Sequence, residues 1–299
     1  MVTINDSIVR MGEIFIGCSG WCYPGPPQKG GWSNIFYPTN DSKKLFYYSQ
    51  FFNTAEISST FYDKLYSKMT RRTFEGLARA TPDNFQFSLK VPETITHING
   101  LDIKTSALST LEEFLGKISP LKMANKVGAI IFQLPSRFAV NDLKKKTQFF
   151  DRLPRGYDFA VEFRHPSWHI EQPWEMLRHF NVATVIVDRP SQSDNLHEFI
   201  VTANHSYIRL DGKNIHHLHN YLYSIEELRF WSKKAKELQA ETQVIRGYFN
   251  NHYAGKSVMN ALQFKDVIGT FLSDKEKNVL KHGLSYLRHN NIELSSLFE

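Results

Sequence analysis

Two carboxylates and three cations carry the strongest chemical signal in this sequence. Glu56 and Glu162 suit a general acid and base, provided burial raises one carboxyl pKa while a neighbouring cation holds the other low. Lys90, Arg164 and Arg209 suit a phosphate or carboxylate, Lys as a point charge and Arg as a planar fork. Residues two apart share a face of an extended chain, which pairs Glu162 with Arg164, Ser88 with Lys90 and Tyr207 with Arg209. His97 and Asp188 complete the expected catalytic set, His97 as a proton shuttle near neutral pH. Trp21, Tyr62, Gln133 and Asn250 join the three cations as expected substrate contacts, with His165 and Asn251 beside them. His165 reads equally well as structural, because Pro166 and Trp168 after it describe a packed turn.

These residues sit at the ends of eight short apolar or β-branched runs: EIFIGCSG from Glu13, NTAEIS from Asn53, FQFSLKV from Phe85, VGAIIFQL from Val127, DFAVEF from Asp158, VATVIV from Val182, SYIRL from Ser206 and QVIRGYF from Gln243. Helical patterns lie between them, as in a parallel sheet built of βαβ units. Ser224 with Glu227 has capping-box spacing ahead of a stripe formed by Leu228, Trp231, Ala235 and Leu238, and Ser109 with Glu112 repeats the spacing before Phe114. Eight such units predict one (β/α)8 barrel of the TIM type over residues 1–299, with an additional C-terminal helix in the tail 274–299. Active sites of such barrels lie where the strands end, so the polar ends converge on one mouth. The Gly- and Pro-rich stretch from Pro24 to Trp32 reads as an irregular loop over that mouth.

A buried charge cluster can also be an internal ion-pair network, and for any single residue that reading is as good. For all eight strand ends together a ligand site accounts better for the cost of desolvation. Acid-base chemistry on an anionic small molecule is therefore the first expectation. A divalent-metal-dependent hydrolase or isomerase using Glu56, Glu162, Asp188 and a His is the second, although the same three cations crowd its space. No metal ligand is assigned and no cofactor is indicated. The His216, His217 and His219 run has no metal-ligand spacing. Nucleic-acid binding is third, because the aromatic and basic Lys43–Phe52 stretch reads better as a helix burying Leu45, Tyr48, Phe51 and Phe52, and Leu143–Lys146 as a solvated helix face. Gly255, Lys256 and Ser257 look like the end of a phosphate loop but lack its earlier glycine, since position 250 is Asn.

The 299 residues are 41% hydrophobic and 22% charged, which excludes a disordered or collagenous chain. A net charge of +6 favours anions without diagnosing a nucleic-acid binder. Two cysteines, Cys18 and Cys22, cannot build a disulfide framework, and the first 25 residues hold no continuous apolar stretch. The expectation is a cytoplasmic protein without a membrane partner.

The phrases IGCSGWCYP (Ile16 to Pro24), AEISSTFY (Ala55 to Tyr62), FSLKVP with ITH (Phe87 to His97), FQLP (Phe132 to Pro135), VEFRHPSW (Val161 to Trp168), YIRLDG (Tyr207 to Gly212) and YFNNH (Tyr248 to His252) resemble the YecE-like family, domain of unknown function 72. The resemblance runs in order from about Ile14 to Leu272. It implies a (β/α)8 barrel and no established reaction. Relatives carry Thr or Ser where Cys18 and Cys22 stand, which argues against thiol chemistry, and His where Asp211 stands.

Overall fold

Each of the eight runs is apolar on the side that meets helices, and hydrogen-bonds in parallel to the next run in chain order. In the computed structural model, described for residues 11–290 except 142, 191–198 and 218, they close a barrel by pairing the eighth strand with the first. The strands are β1 (Glu13–Ser19), β2 (Thr54–Ile57), β3 (Gln86–Lys90), β4 (Val127–Gln133), β5 (Asp158–Glu162), β6 (Val182–Asp188), β7 (His205–Leu210) and β8 (Val244–Phe249). Register sets Ser19 beside Glu56, Glu56 beside Ser88, and Gln133 beside Glu162, so polar residues of neighbouring strands reach one level. The expected TIM-type barrel is the fold.

Period-two alternation splits the interior into two cores. Outward residues such as Ala55, Ile57, Phe87, Leu89, Ile208 and Leu210 join the main core between strands and helices. Inward residues Ala129, Ile131, Ala160, Ala183, Val185, Val187, Tyr207 and Tyr248 fill the barrel itself. Each fully buried large apolar side chain contributes about 1.5 to 3 kcal/mol relative to exposure. Below the mouth, Tyr248 Oη bonds Thr54 Oγ1 at 2.7 Å and Ser88 Oγ at 2.8 Å, which satisfies three inward hydroxyls without water.

The helix Ile225–Glu241 starts at the expected box: Glu227 N donates to Ser224 Oγ at 3.2 Å and Ser224 N to Glu227 Oε2 at 2.9 Å. The Ser109 box does not form. That helix runs from Ala107 to Met123, so Ser109 lies inside it and donates to Ser106 O at 3.1 Å. The tail helix is Asp274–His289, capped by Ser273 and Glu276, while residues 291–299 lie outside the described residues. The expected helix over Lys43–Phe52 is formed only from Lys44 to Tyr48; Tyr48, Phe51 and Phe52 are buried as that reading requires, while Leu45 is only partly buried. Lys146 departs from the solvated face expected of it: it is buried, with Nζ bonded to Gly100 O and set over the Phe138 ring.

The stretch after Pro24 forms a single 3-10 turn, Pro27–Lys29, in otherwise irregular chain. Trp32 Nε1 donates to His252 O at 2.7 Å and Ala254 N to Gly30 O at 3.1 Å, which ties the loop to the chain following β8. Gly31 permits the close crossing, because a Cβ there would lie 2.1 Å from Gly25 O. Among the described residues no helix is long and apolar enough to cross a membrane.

Candidate active site

The inward phase of each strand, continued one step past its end, decides which side chains meet at the mouth. Arg209 of β7 is the hub. Its side chain is buried, and its guanidinium faces three carboxylates: Nη1 donates to Glu162 Oε2 at 2.8 Å, Nε lies 3.2 Å from Glu56 Oε2 without hydrogen-bond alignment, and Nη2 lies 3.6 Å from Asp211 Oδ1. Asp211 is the next inward position after Arg209, and it accepts from Asn250 Nδ2 at 3.0 Å.

Glu162 is surrounded by donors. Arg164 Nε donates to Oε1 at 2.9 Å, Arg189 Nη2 bonds the same oxygen, and Gln133 Nε2 donates to Oε2 at 2.7 Å. Burial pushes this carboxyl up, but Arg189, Arg164 and Arg209 outweigh it and hold it well below the usual carboxylate range. Glu56 accepts from Ser19 Oγ at 2.5 Å and Ser58 Oγ at 2.8 Å on Oε1, and from Tyr207 Oη at 2.7 Å on Oε2. Burial is again outweighed, here by Arg209, Lys90 and these hydrogen bonds, so Glu56 also titrates below its ordinary value. Neither glutamate has the raised pKa that a proton donor near neutral pH needs. The lowered values favour the carboxylate form of both, which accepts from the guanidinium and hydroxyl groups around it.

Lys90 behaves differently. It is 7% exposed, its Nζ donates to Gln133 Oε1 at 3.4 Å, and no carboxylate of the described residues lies within ion-pairing distance. Burial and the charge on Arg209 lower it to about 8. Three imidazoles of the mouth are also lowered. Partial burial and Arg164 bring His97 down to about 4, and burial brings His252 down to about 3 and lowers His219. His97 sits on a π turn, Thr94–Ile98, with Nδ1 3.0 Å from Thr96 Oγ1 and its ring edge against Phe61. His252 stacks between Tyr23 and His219, at centroid distances of 4.3 and 4.7 Å.

These groups line a cavity of about 620 Å³, a size suited to a small molecule. Lys90, Arg164, Arg189 and Arg209 give it four positive charges against the three negative ones of Glu56, Glu162 and Asp211. Tyr23, Phe61, Tyr62 and Ile215 supply an apolar wall. Among the described residues no group of three or more His, Cys, Asp or Glu side chains could hold a metal ion, and the Glu pair is clasped by guanidinium groups instead.

Of the residues expected from sequence, Tyr62, Lys90, His97, Gln133, Arg164, Arg209 and Asn250 line this cavity, and Glu56 and Glu162 are buried in the ion-pair network with Arg209, one of its lining residues. Four others do not reach it. Asp188 points outward, because Val185 and Val187 hold the inward phase of β6; its Oδ2 lies 4.0 Å from Lys213 Nζ. Asn251 is buried and donates to Tyr221 O at 2.7 Å and Asn260 Oδ1 at 2.8 Å, which locks the chain after β8. His165 caps the turn Pro166–Trp168, its Nδ1 accepting from Ser167 N at 3.1 Å. Trp21 packs on Phe87 and lines a separate shallow depression with Ser19 and Glu56.

Sequence reasoning passed over Arg189, Asp211, His219 and His252, which all line the cavity. Three of them were accessible by counting: Arg189 follows Val187, Asp211 follows Arg209, and His252 follows Asn250 at inward spacing. Lys256 and Ser257 do not line it; they are buried, with Lys256 Nζ on Asn220 Oδ1 at 2.7 Å. Cys18 is buried and free, its thiol pushed up to about 12 by burial, which makes it a poor nucleophile.

A 146-residue segment of the chain is 32% identical to the UPF0759 protein YecE of Escherichia coli (strain K12), covering 49% of each protein, so the match spans about half the length of that curated relative. Among solved structures, a DUF72 family protein from Thermotoga maritima MSB8 superposes with a TM-score of 0.73 at 29% identity, covering 86% of this chain and 99% of that one. A DUF72 family protein from Enterococcus faecalis V583 gives a TM-score of 0.69 at 21% identity, over 87% and 97% of the two chains, and shows the shared fold. The model of the family described as "Protein of unknown function DUF72" matches residues 15–280, and with nearly the whole barrel inside that match the chain belongs to the DUF72 family.

Proposed function

We propose that the barrel mouth binds a small anionic molecule and moves protons on it, with Arg164 and Arg189 as anion contacts and Lys90 and His97 as the proton-transferring groups. One observation carries the reading: four cations meet three carboxylates at a cavity, and Lys90, the unmatched one, faces it. A bound phosphate or carboxylate would complete the charge balance through charge-assisted hydrogen bonds. Arg164 is suited to this because its side chain is 30% exposed although it is already oriented by Glu162. The two glutamates then position guanidinium groups rather than exchange protons. Lys90, near 8, is able to exchange a proton near neutral pH, and His97, neutral at pH 7, is able to accept one. We place the protein in the cytoplasm, where two unpaired cysteines remain reduced.

The test is calorimetric titration of the protein with inorganic phosphate and with malonate. Saturable binding that weakens about tenfold or more in Arg164→Met, at unchanged thermal stability, is expected. Equal affinity in the wild type and the variant would reject the anion site.

A further inference from the structure

Lys90 is the cation that the buried network does not require. Arg164, Arg189 and Arg209 are balanced by Glu56, Glu162 and Asp211, three against three, and every one of the six has at least one partner of opposite charge within ion-pairing distance. Gln133 fixes what Lys90 meets. Its Nε2 is committed to Glu162 Oε2 at 2.7 Å, which turns Oε1 toward Lys90 Nζ as an acceptor for a single N–H. Lys90 itself lines the cavity. A buried lysine with one weak hydrogen-bond partner and no carboxylate partner is a poor permanent cation and a good amine.

We propose that Lys90 is a nucleophile that forms an imine with an anionic carbonyl compound, an aldehyde or ketone carrying a carboxylate or phosphate. This rests on the anion-binding reading and names the substrate class for that site. The neutral Nζ adds to the carbonyl carbon, and one N–H proton passes to the carbonyl oxygen to give a carbinolamine. The carbon–oxygen bond then breaks, the hydroxyl leaves with the second N–H proton as water, and a carbon–nitrogen double bond remains. No oxidant or reductant is consumed. Once protonated, the imine draws electrons from the adjacent carbon, and the substrate's own carboxylate or phosphate compensates its charge. Neutral His97, on the wall of the same cavity, is available to take a proton from that carbon. The lowered pKa of about 8 leaves about a tenth of Lys90 as free amine at pH 7, far more than a solvated lysine.

The experiment uses the full chain with glyoxylate as the carbonyl anion and sodium cyanoborohydride to reduce any imine to a stable secondary amine, followed by mass spectrometry of tryptic peptides. Lys90 should label about tenfold faster or more than the exposed Lys144 and Lys281, after allowing for its lower intrinsic nucleophilicity. Its rate should rise with pH and level off above about 8, and saturating inorganic phosphate should slow Lys90 alone. Because the ratio is read within one wild-type protein, it does not depend on a variant folding. Labelling of Lys90 no faster than Lys144 and Lys281, in protein that binds phosphate by calorimetry, overturns the imine and leaves the anion site standing. Fast labelling that phosphate does not slow, in protein that binds no phosphate, overturns the anionic substrate class and with it the reading on which the proposal rests.

Discussion

The barrel carries a polar network at each end, and only one of them is left unbalanced. At the N-terminal end, Arg246 donates through Nη1 to Asp158 Oδ2 at 2.8 Å and through Nε to Gln86 Oε1 at 3.1 Å. Burial lowers the pKa of His205 beside them, whose Nε2 lies 3.0 Å from Phe159 O. One cation meets one anion there, Asp158 remains 33% exposed, and none of these residues lines the large cavity. At the C-terminal end four cations meet three anions around about 620 Å³ of space. Ion pairing by itself therefore does not mark a site in this fold. The unmatched charge facing a cavity is what sets the proposed site apart, because a ligand or loss of a proton would relieve its cost.

Removing one guanidinium from each end should separate them most sharply. Arg209→Met leaves fully buried Glu56 without an ion-pair partner and takes one of three cations from Glu162, and should cost about 3 to 5 kcal/mol in denaturant unfolding. Arg246→Met leaves Asp158 partly solvated and should cost about 1 kcal/mol. Equal losses would erase the distinction. Arg209 is for the same reason unsuited to the role of a removable anion contact. Arg164 is the sharper probe: Arg164→Met should weaken phosphate binding by about 1.5 to 3 kcal/mol, while Arg246→Met leaves it unchanged by calorimetry.

Lys90 permits a test in the opposite direction. Its folded pKa is below its unfolded one, so its charge costs stability at every pH below about 8, and the cost is relieved as pH rises from about 8 toward 10.5. Lys90→Met should therefore stabilise the fold by about 1 to 2 kcal/mol at pH 7 and abolish the gain in stability of the wild type on that alkaline interval. A destabilised variant would show that Lys90 is already paired in effect and that the mouth is balanced like the other end.

How much of this was legible in the sequence depends on whether one face of a strand announces itself. In β2, Glu56 lies between Ala55 and Ile57, and in β7 Tyr207 and Arg209 alternate with Ile208 and Leu210, so inward and outward faces differ in chemistry. There the sequence reading and the structure agree residue by residue. In β6, VATVIV is apolar on both faces, as strands covered on both sides are, and its phase is silent. Asp188 was therefore the natural choice, and the chain instead delivers Arg189. The Ser109 and Glu112 spacing misled for a related reason: a capping box is a local pattern, and it recurs inside a helix whose start is set by Ser106 and Ala107. Lys146 shows the limit of charge as a guide to exposure, since a long stem can bury while its ammonium finds Gly100 O.

The smallest difference between the ends lies in their histidines, and it is read in the acid slope of stability. His97 and His205 both titrate below their ordinary value, so the unfolded chain takes up protons near pH 6.5 before the folded protein does. Stability from each is complete above about 6.5 and is lost as pH falls, in the case of His97 down to about 4. A fully linked proton gives at most about 1.4 kcal/mol per pH unit, and half-buried His97 falls well below that through solvent screening. The two should respond differently to an anion. His97 is lowered partly by Arg164, so a ligand that neutralises Arg164 should raise its pKa and flatten the slope between pH 6.5 and 4, whereas His205, lowered by burial among Asp158 and Arg246, should not move. NMR titration of the two imidazoles with and without phosphate reads both directly. Parallel shifts at the two ends would mean that phosphate acts through general screening, and a shift at His97 alone ties the unmatched charge to the mouth.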